Sequence, residues 1–183
     1  MDASNDISVS GVYHLEHIRD GEIVQSIEKK NLIPDLALSA ILNKVFHQSA
    51  GFNNSVYSNT SVYIPYVNDY IPNATDTFAQ FLTAAGELTF PGQTQRLTAG
   101  LELSNTIQLA PKQRSTNPVS MTVNTNTTIY GIAWVNSLNG IAIATVGSTA
   151  NCLNLSVMRL DTPLVIVSGD VLTIRYTLSF SST

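Results

Sequence analysis

The chain has 183 residues with 9 Lys plus Arg and 13 Asp plus Glu, so charged side chains make up 12% of it, half the share usual in globular proteins. Ser, Thr and Asn supply the polarity instead, while a hydrophobic content of 44% suffices for a core and excludes wholesale disorder. A net charge of −4 and an isoelectric point near 5.2 exclude the dense basic face that nucleic-acid binding requires.

The first predicted element is a hairpin. Residues 7–19 alternate so that Val9, Tyr13 and Leu15 share one face. Asp20-Gly21 follows, a dipeptide suited to positive φ in a tight two-residue turn, and a return strand runs through Ile23 and Ile27 to Lys29-Lys30.

A helix is expected from about Pro34 to His47. Pro34 fits a first helical position, and Leu38, Ile41, Leu42, Val45 and Phe46 recur at helical spacing as a stripe facing a core. Residues 48–118 read as a loop-rich insertion with short strands inside. Val62 to Val67 has strand composition that Pro65 demotes to an edge or bulge; Phe78 to Ala85 suits a short helix. Leu97 to Leu109 alternates as one strand, with Gly100 marking a bulge.

The C-terminal third is predicted to be β throughout. Val119 to Val123 alternates, and in Thr127 to Val135 the side chains of Tyr130, Ile132 and Trp134 share a face. Leu153, Leu155 and Val157 line a strand ending near Arg159. After Ser168-Gly169-Asp170 the last strand sends Leu172, Ile174, Tyr176, Leu178 and Phe180 inward. From Ser115 to Met158 the chain carries no charged residue. Edge strands of a free monomer usually carry charge against sheet-to-sheet pairing, so this stretch suits contact with another subunit, and Thr128, Tyr130 and Asn136 are its candidate interface residues.

Residues able to carry chemistry are sparse. His14 and His17 point to opposite faces of a strand, and His47 falls at a helix end. Cys152 stands alone, which excludes an intramolecular disulfide and any multi-cysteine zinc site and suits synthesis in a reducing compartment. With no basic neighbour in sequence, Cys152 reads as a small buried hydrophobe. Asp69, Asn73 and Asp76 lie in a turn-rich loop but lack the regular spacing of a calcium loop. Tyr57, Tyr63, Tyr66 and Tyr70 suit an interface or a sugar site, and equally the rim of a core. No nucleophile motif, phosphate loop or dinucleotide fingerprint occurs, so neither an enzyme nor a cofactor is expected. The acidic N-terminus has no signal-peptide pattern, and no apolar run reaches membrane-spanning length.

The segment GVYHLEHIRDGEIVQSIEKKNLIPDLALSAILNKVF resembles the opening of a class of tailed-phage virion proteins, with a strand, an Arg-Asp-Gly turn, a second strand and a helix ending near Phe. TTIYGIAWV and VSGDVLTIRYTLSF are similar to the closing strands of those proteins, and VYIPYVNDYIPNATDTFAQF to their variable middle segment. The resemblance implies a virion structural protein, most like the capsid cement (decoration) proteins, and supplies no catalytic residues.

The fold expected is mainly β: one domain over residues 1–183, an antiparallel jelly-roll-like β-sandwich with an N-terminal arm over about 1–6 and one helix. The expected function is capsid cement that binds the major capsid protein on the outer surface, probed through Tyr63, Tyr66, Tyr70, Thr128, Tyr130 and Asn136. A homo-oligomer on the shell is expected, made in the host cytoplasm, with no nucleic acid, membrane or metal as partner. The alternatives are a tail or fibre component contacting the host, and a carbohydrate-binding module using the tyrosine loop.

Overall fold

A computed structural model describes residues 7–39, 60–91, 93, 96–100, 106–110, 113–137, 146–149 and 152–182. Their fold is mainly β, in two antiparallel sheets with two short helices. The first hairpin forms as the alternation predicts: β1 (Ile7–Arg19) pairs with β2 (Glu22–Lys30). Asp20 and Gly21 both take positive φ, at 53° and 83°, which is the backbone of a tight mirror-image turn.

The other strands are β3 (Thr60–Tyr66), β4 (Leu97–Gly100), β5 (Thr106–Ala110), β6 (Gln113–Thr116), β7 (Val119–Thr122), β8 (Thr127–Ser137), β9 (Cys152–Ile166) and β10 (Val171–Ser182). The larger sheet runs β2-β1-β10-β6-β5, with β7 also on β10, and the smaller runs β4-β3-β8-β9. A helix, α1, opens at residues 35–39, and the rest of the stripe expected to about His47 lies outside the described residues, as does the arm over 1–6.

The main core lies between the sheets. Tyr13, Leu15, Leu172, Ile174 and Tyr176 meet Tyr63, Ile129, Ile132, Met158, Leu160, Leu164 and Ile166 there. A second core covers the opposite face of the smaller sheet. Val62, Ile64, Tyr66, Ala133, Val135 and Val157 pack there against Phe78, Phe81 and Ala85 of the second helix, α2 (Phe78–Ala85). Thr77 and Gln80 close a reciprocal cap at the start of α2, and Gly86 ends it at positive φ.

Several expectations are corrected. The short strands expected inside 48–118 are β3 and β4, which belong to the smaller sheet, and β5 and β6, which belong to the larger. Leu97 to Leu109 is therefore two strands in different sheets. β3 is an inner strand, held by β4 at Thr60–Tyr63 and by β8 along its length. Pro65 sits where β4 has ended, and its carbonyl accepts from the Leu88 amide (2.9 Å) on the flank away from β8, so no ladder donor is lost.

β9 does not stop near Arg159 but runs on to Ile166, since Leu160, Leu164 and Ile166 feed the main core. A register shift between Ile129 and Gly131 turns Tyr130 away from Ile132 and Trp134, into the α2 core. Phe180 is exposed rather than inward, and Thr177 is buried.

Gly21 isolates the backbone term of the first turn, because a Cβ there would meet nothing within 4 Å. Gly21→Val should cost about 1–2 kcal/mol from positive φ alone. Urea unfolding checks this, and an unchanged midpoint would show that the turn tolerates a β-branched residue.

Candidate functional site

Most of the residues singled out from the sequence turn out to be interior. Tyr63 and Tyr66 are buried in the two cores, one on each side of β3. The Tyr63 hydroxyl bonds Thr116 Oγ1 at 2.8 Å, and burial pushes its phenol above the ordinary value. Burial raises the Tyr66 phenol likewise, and its ring meets Phe81 edge-on at 5.5 Å. Tyr70 is half-buried, donating to Asp76 Oδ2 at 2.8 Å, a bond that raises its phenol. Tyr130 packs on the α2 core. Asn136 is buried on β8, and its Oδ1 has no partner among the described residues. These five residues therefore form no common surface. Tyr57 lies outside the described residues.

The same burial accounts for much of the uncharged stretch. From Ile129 to Val135, β8 carries main-core residues on one face and α2-core residues on the other, so this part has no wet face on which to place charge. Thr128 differs from the other candidates. It lies opposite Val165, which is 69% exposed, so the two side chains share one open face.

The two turns at this end of the molecule carry further exposed apolar side chains. Ile23 and Val24 at the hairpin tip and Val165 and Val167 before the β9–β10 turn are all exposed. Arg19 joins the two groups: it donates through Nε and Nη2 to Asp170 (2.9 and 2.8 Å) and through Nη2 to the Val165 carbonyl (3.4 Å). Asp170, only 1% exposed, also accepts from the Val167 amide at 3.0 Å and from His17 Nε2 at 2.7 Å. An ionised carboxylate only accepts, so His17 presents Nε2–H. The Arg19 guanidinium holds the Asp170 carboxyl well below the usual range, with further lowering from the Val167 amide and His17, against the cost of burial. Sequence reading found the Asp20-Gly21 and Gly169-Asp170 turns but not this clamp, because Arg19 and Asp170 stand 151 positions apart.

A second buried ion pair fixes the smaller sheet's flank. Arg96 Nε and Nη2 meet Glu87 Oε1 and Oε2 at 2.6 and 2.8 Å, with the guanidinium 5.4 Å from the Phe78 ring centre. Arg96 also donates to the Ser148 carbonyl (2.9 Å), and the Gly147 amide donates to Glu87 (3.0 Å), which ties residues 146–149 to this pair. Cys152 thus has a basic neighbour after all, but burial outweighs Arg96 and pushes the thiol up.

The side chains considered for calcium are spent on local structure. Asp69 pairs with Arg159, Asp76 accepts from Tyr70 and the Asn73 amide, and Asn73 Oδ1 accepts from the Thr75 amide. His14 and His17 do face opposite ways, His14 pairing with Glu28 at 3.2 Å, while His47 lies outside the described residues. Among the described residues no three metal-ligating side chains converge, and no helix is long and apolar enough to cross a membrane.

Asp170 gives a pH test with a definite sign. A carboxyl held low in the folded chain contributes stability above the unfolded value, and that contribution is lost as pH falls toward the folded value. Asp170→Asn should lower stability near neutral pH by about 3 kcal/mol, because a partly buried Arg loses its counter-charge and a neutral amide leaves one oxygen for Arg19, His17 and the Val167 amide. Between about pH 5 and about pH 2 the original chain should lose more stability than the variant. Parallel curves for the two chains in acid would show that Asp170 is not the group responsible.

Comparison of the chain with protein-family models, curated proteins and solved structures finds no match to any of the three.

Proposed function

We propose that this chain is a virion structural protein that cements a phage capsid, binding the outer shell and clamping neighbouring capsomers. The observation that carries this reading is the apolar end built from Ile23, Val24, Val165 and Val167, with Thr128 beside it. Exposed β-branched side chains at two turns clamped together suit a docking surface better than a solvated one. The Arg19–Asp170 pair is that clamp. The resemblance of the first hairpin and last strand to cement proteins points the same way, and in this reading the two sheets form a sandwich of jelly-roll type.

The mechanism is mechanical and needs no catalytic group. A protein that binds only the assembled shell stabilises it by mass action, about 2.7 kcal/mol per site at 100 times the dissociation constant. Many symmetry-related sites add up to a large barrier against opening. Apolar contacts make the attachment weakly sensitive to salt.

Heating particles with and without this protein, at low and high salt, while following genome release is the test. Particles lacking the protein should release earlier at both salt concentrations. Thr128→Lys and Val165→Lys should reduce shell binding while leaving the fold intact. Asn136→Lys, by contrast, should destabilise the chain itself by burying a charge. Equal release temperatures together with lost host attachment would move the protein to the tail.

A further inference from the structure

We propose that a groove on the outer face of the larger sheet binds one ring of a neutral saccharide. This site is independent of shell attachment and uses none of the residues of the apolar end. The inner faces of β1 and β10 are committed to the core through Tyr13, Leu15, Ile174 and Tyr176, so the intervening residues face outward. Strand register then builds two polar rows. Ser26, Glu16 and Thr173 stand side by side across β2, β1 and β10, and Glu28, His14 and Arg175 form the next row. Pro118, between β6 and β7, lines the groove together with His14, Glu16, Ser26, Thr173 and Arg175, leaving a volume of about 250 Å³.

The chemistry of the lining selects the ligand class. Glu16 offers a carboxylate, and Arg175 offers a guanidinium that has no ion-pair partner among the described residues. An anion entering the groove gains Arg175 but is repelled by Glu16, and a cation meets the reverse. A neutral polyol satisfies both, because each hydroxyl donates to a carboxylate and accepts from a guanidinium. The Ser26 hydroxyl adds a partner of the same kind, the Thr173 hydroxyl, already bonded to Ser120 Oγ at 2.9 Å, keeps a lone pair for a second bond, and the Pro118 ring gives an apolar wall for the C–H face of a sugar. The tyrosine loop is no rival for this role, since Tyr63 and Tyr66 are core residues.

The test is titration of the full chain with methyl glucoside, methyl galactoside and methyl N-acetylglucosaminide, followed by backbone amide NMR. At least one should shift the amides of residues 14–16, 26 and 173–175 in a saturable way. Glucuronate and glucosamine, which carry a net charge, should bind more weakly, and so should glycine, whose zwitterion pairs Glu16 and Arg175 but offers no hydroxyl to Ser26 and no C–H face to Pro118. Glu16→Gln and Arg175→Gln should each weaken binding about ten-fold or more, as expected for a lost hydrogen bond to a charged group, with melting curves unchanged. Thr173→Val offers a milder third variant should either of those fail to fold. The proposal is overturned if no neutral glycoside shifts the groove, if a charged probe binds more tightly, or if the variants bind as the original chain does.

Discussion

Buried phenols join the two sheets through their core, Tyr63 of β3 to Thr116 of β6 and, at the centre, Tyr13 of β1 to β9. Tyr13 projects from β1 across the main core, and its hydroxyl meets Ser156 of β9, at 2.5 Å from Oγ and 3.2 Å from the carbonyl oxygen. A polar group this deep must be paired, since an unpaired one forfeits its hydration with nothing in return. The pairing is possible only with the larger sheet's centre set opposite β9. Around it the Tyr176 ring packs at 4.9 Å and Tyr63 at 6.3 Å, both edge-on, and Trp134 packs on Tyr176 at 4.8 Å. Burial pushes the Tyr176 phenol up to about 12 and Tyr13 well above its ordinary value, so this aromatic seam keeps its protons across the physiological range. A chain short of ions thus ties its sheets together with buried hydroxyls as well as with apolar packing.

What was legible in the sequence was local. The first hairpin shows itself through period-two alternation and one dipeptide that needs positive φ at both positions. The last strand shows itself through ten residues of alternation after a glycine turn, and Phe78 to Ala85 reads as a short helix, which α2 is. The failures share a cause. Tyr130 changes face because β9 crosses β8 with unequal residue counts, and that information resides in the partner strand rather than beside Tyr130. The split of Leu97 to Leu109 between two sheets is equally invisible, since both halves alternate the same way.

The burial of most candidate residues was hidden for a related reason. Tyrosine and uncharged polar residues look alike at an interface and in a hydroxyl-rich core, and only the second core beneath α2 distinguishes them. Tyr66 is held so closely that a side chain at Gly131 would overlap its ring and the Met158 carbonyl. The outward rows of β1, β2 and β10 were passed over because Glu16, Ser26 and Arg175 mean little singly. Register assembles them, and register is a property of three strands at once.

Pairing of β1 with β10 has a consequence for how the chain comes into being. Ile7 lies opposite Ser182, so the central ladder of the larger sheet joins strands nearly a whole chain apart. The loop to be closed is about as long as this chain permits, which slows folding relative to locally connected folds. On a ribosome the first hairpin emerges early and then waits, with Tyr13 and Leu15 uncovered, until β10 has been synthesised. Such a chain is exposed to aggregation during translation and commits to its native form only after synthesis of the last strand. A nascent chain interrupted before β10 therefore has no central ladder, whatever local structure its hairpin holds.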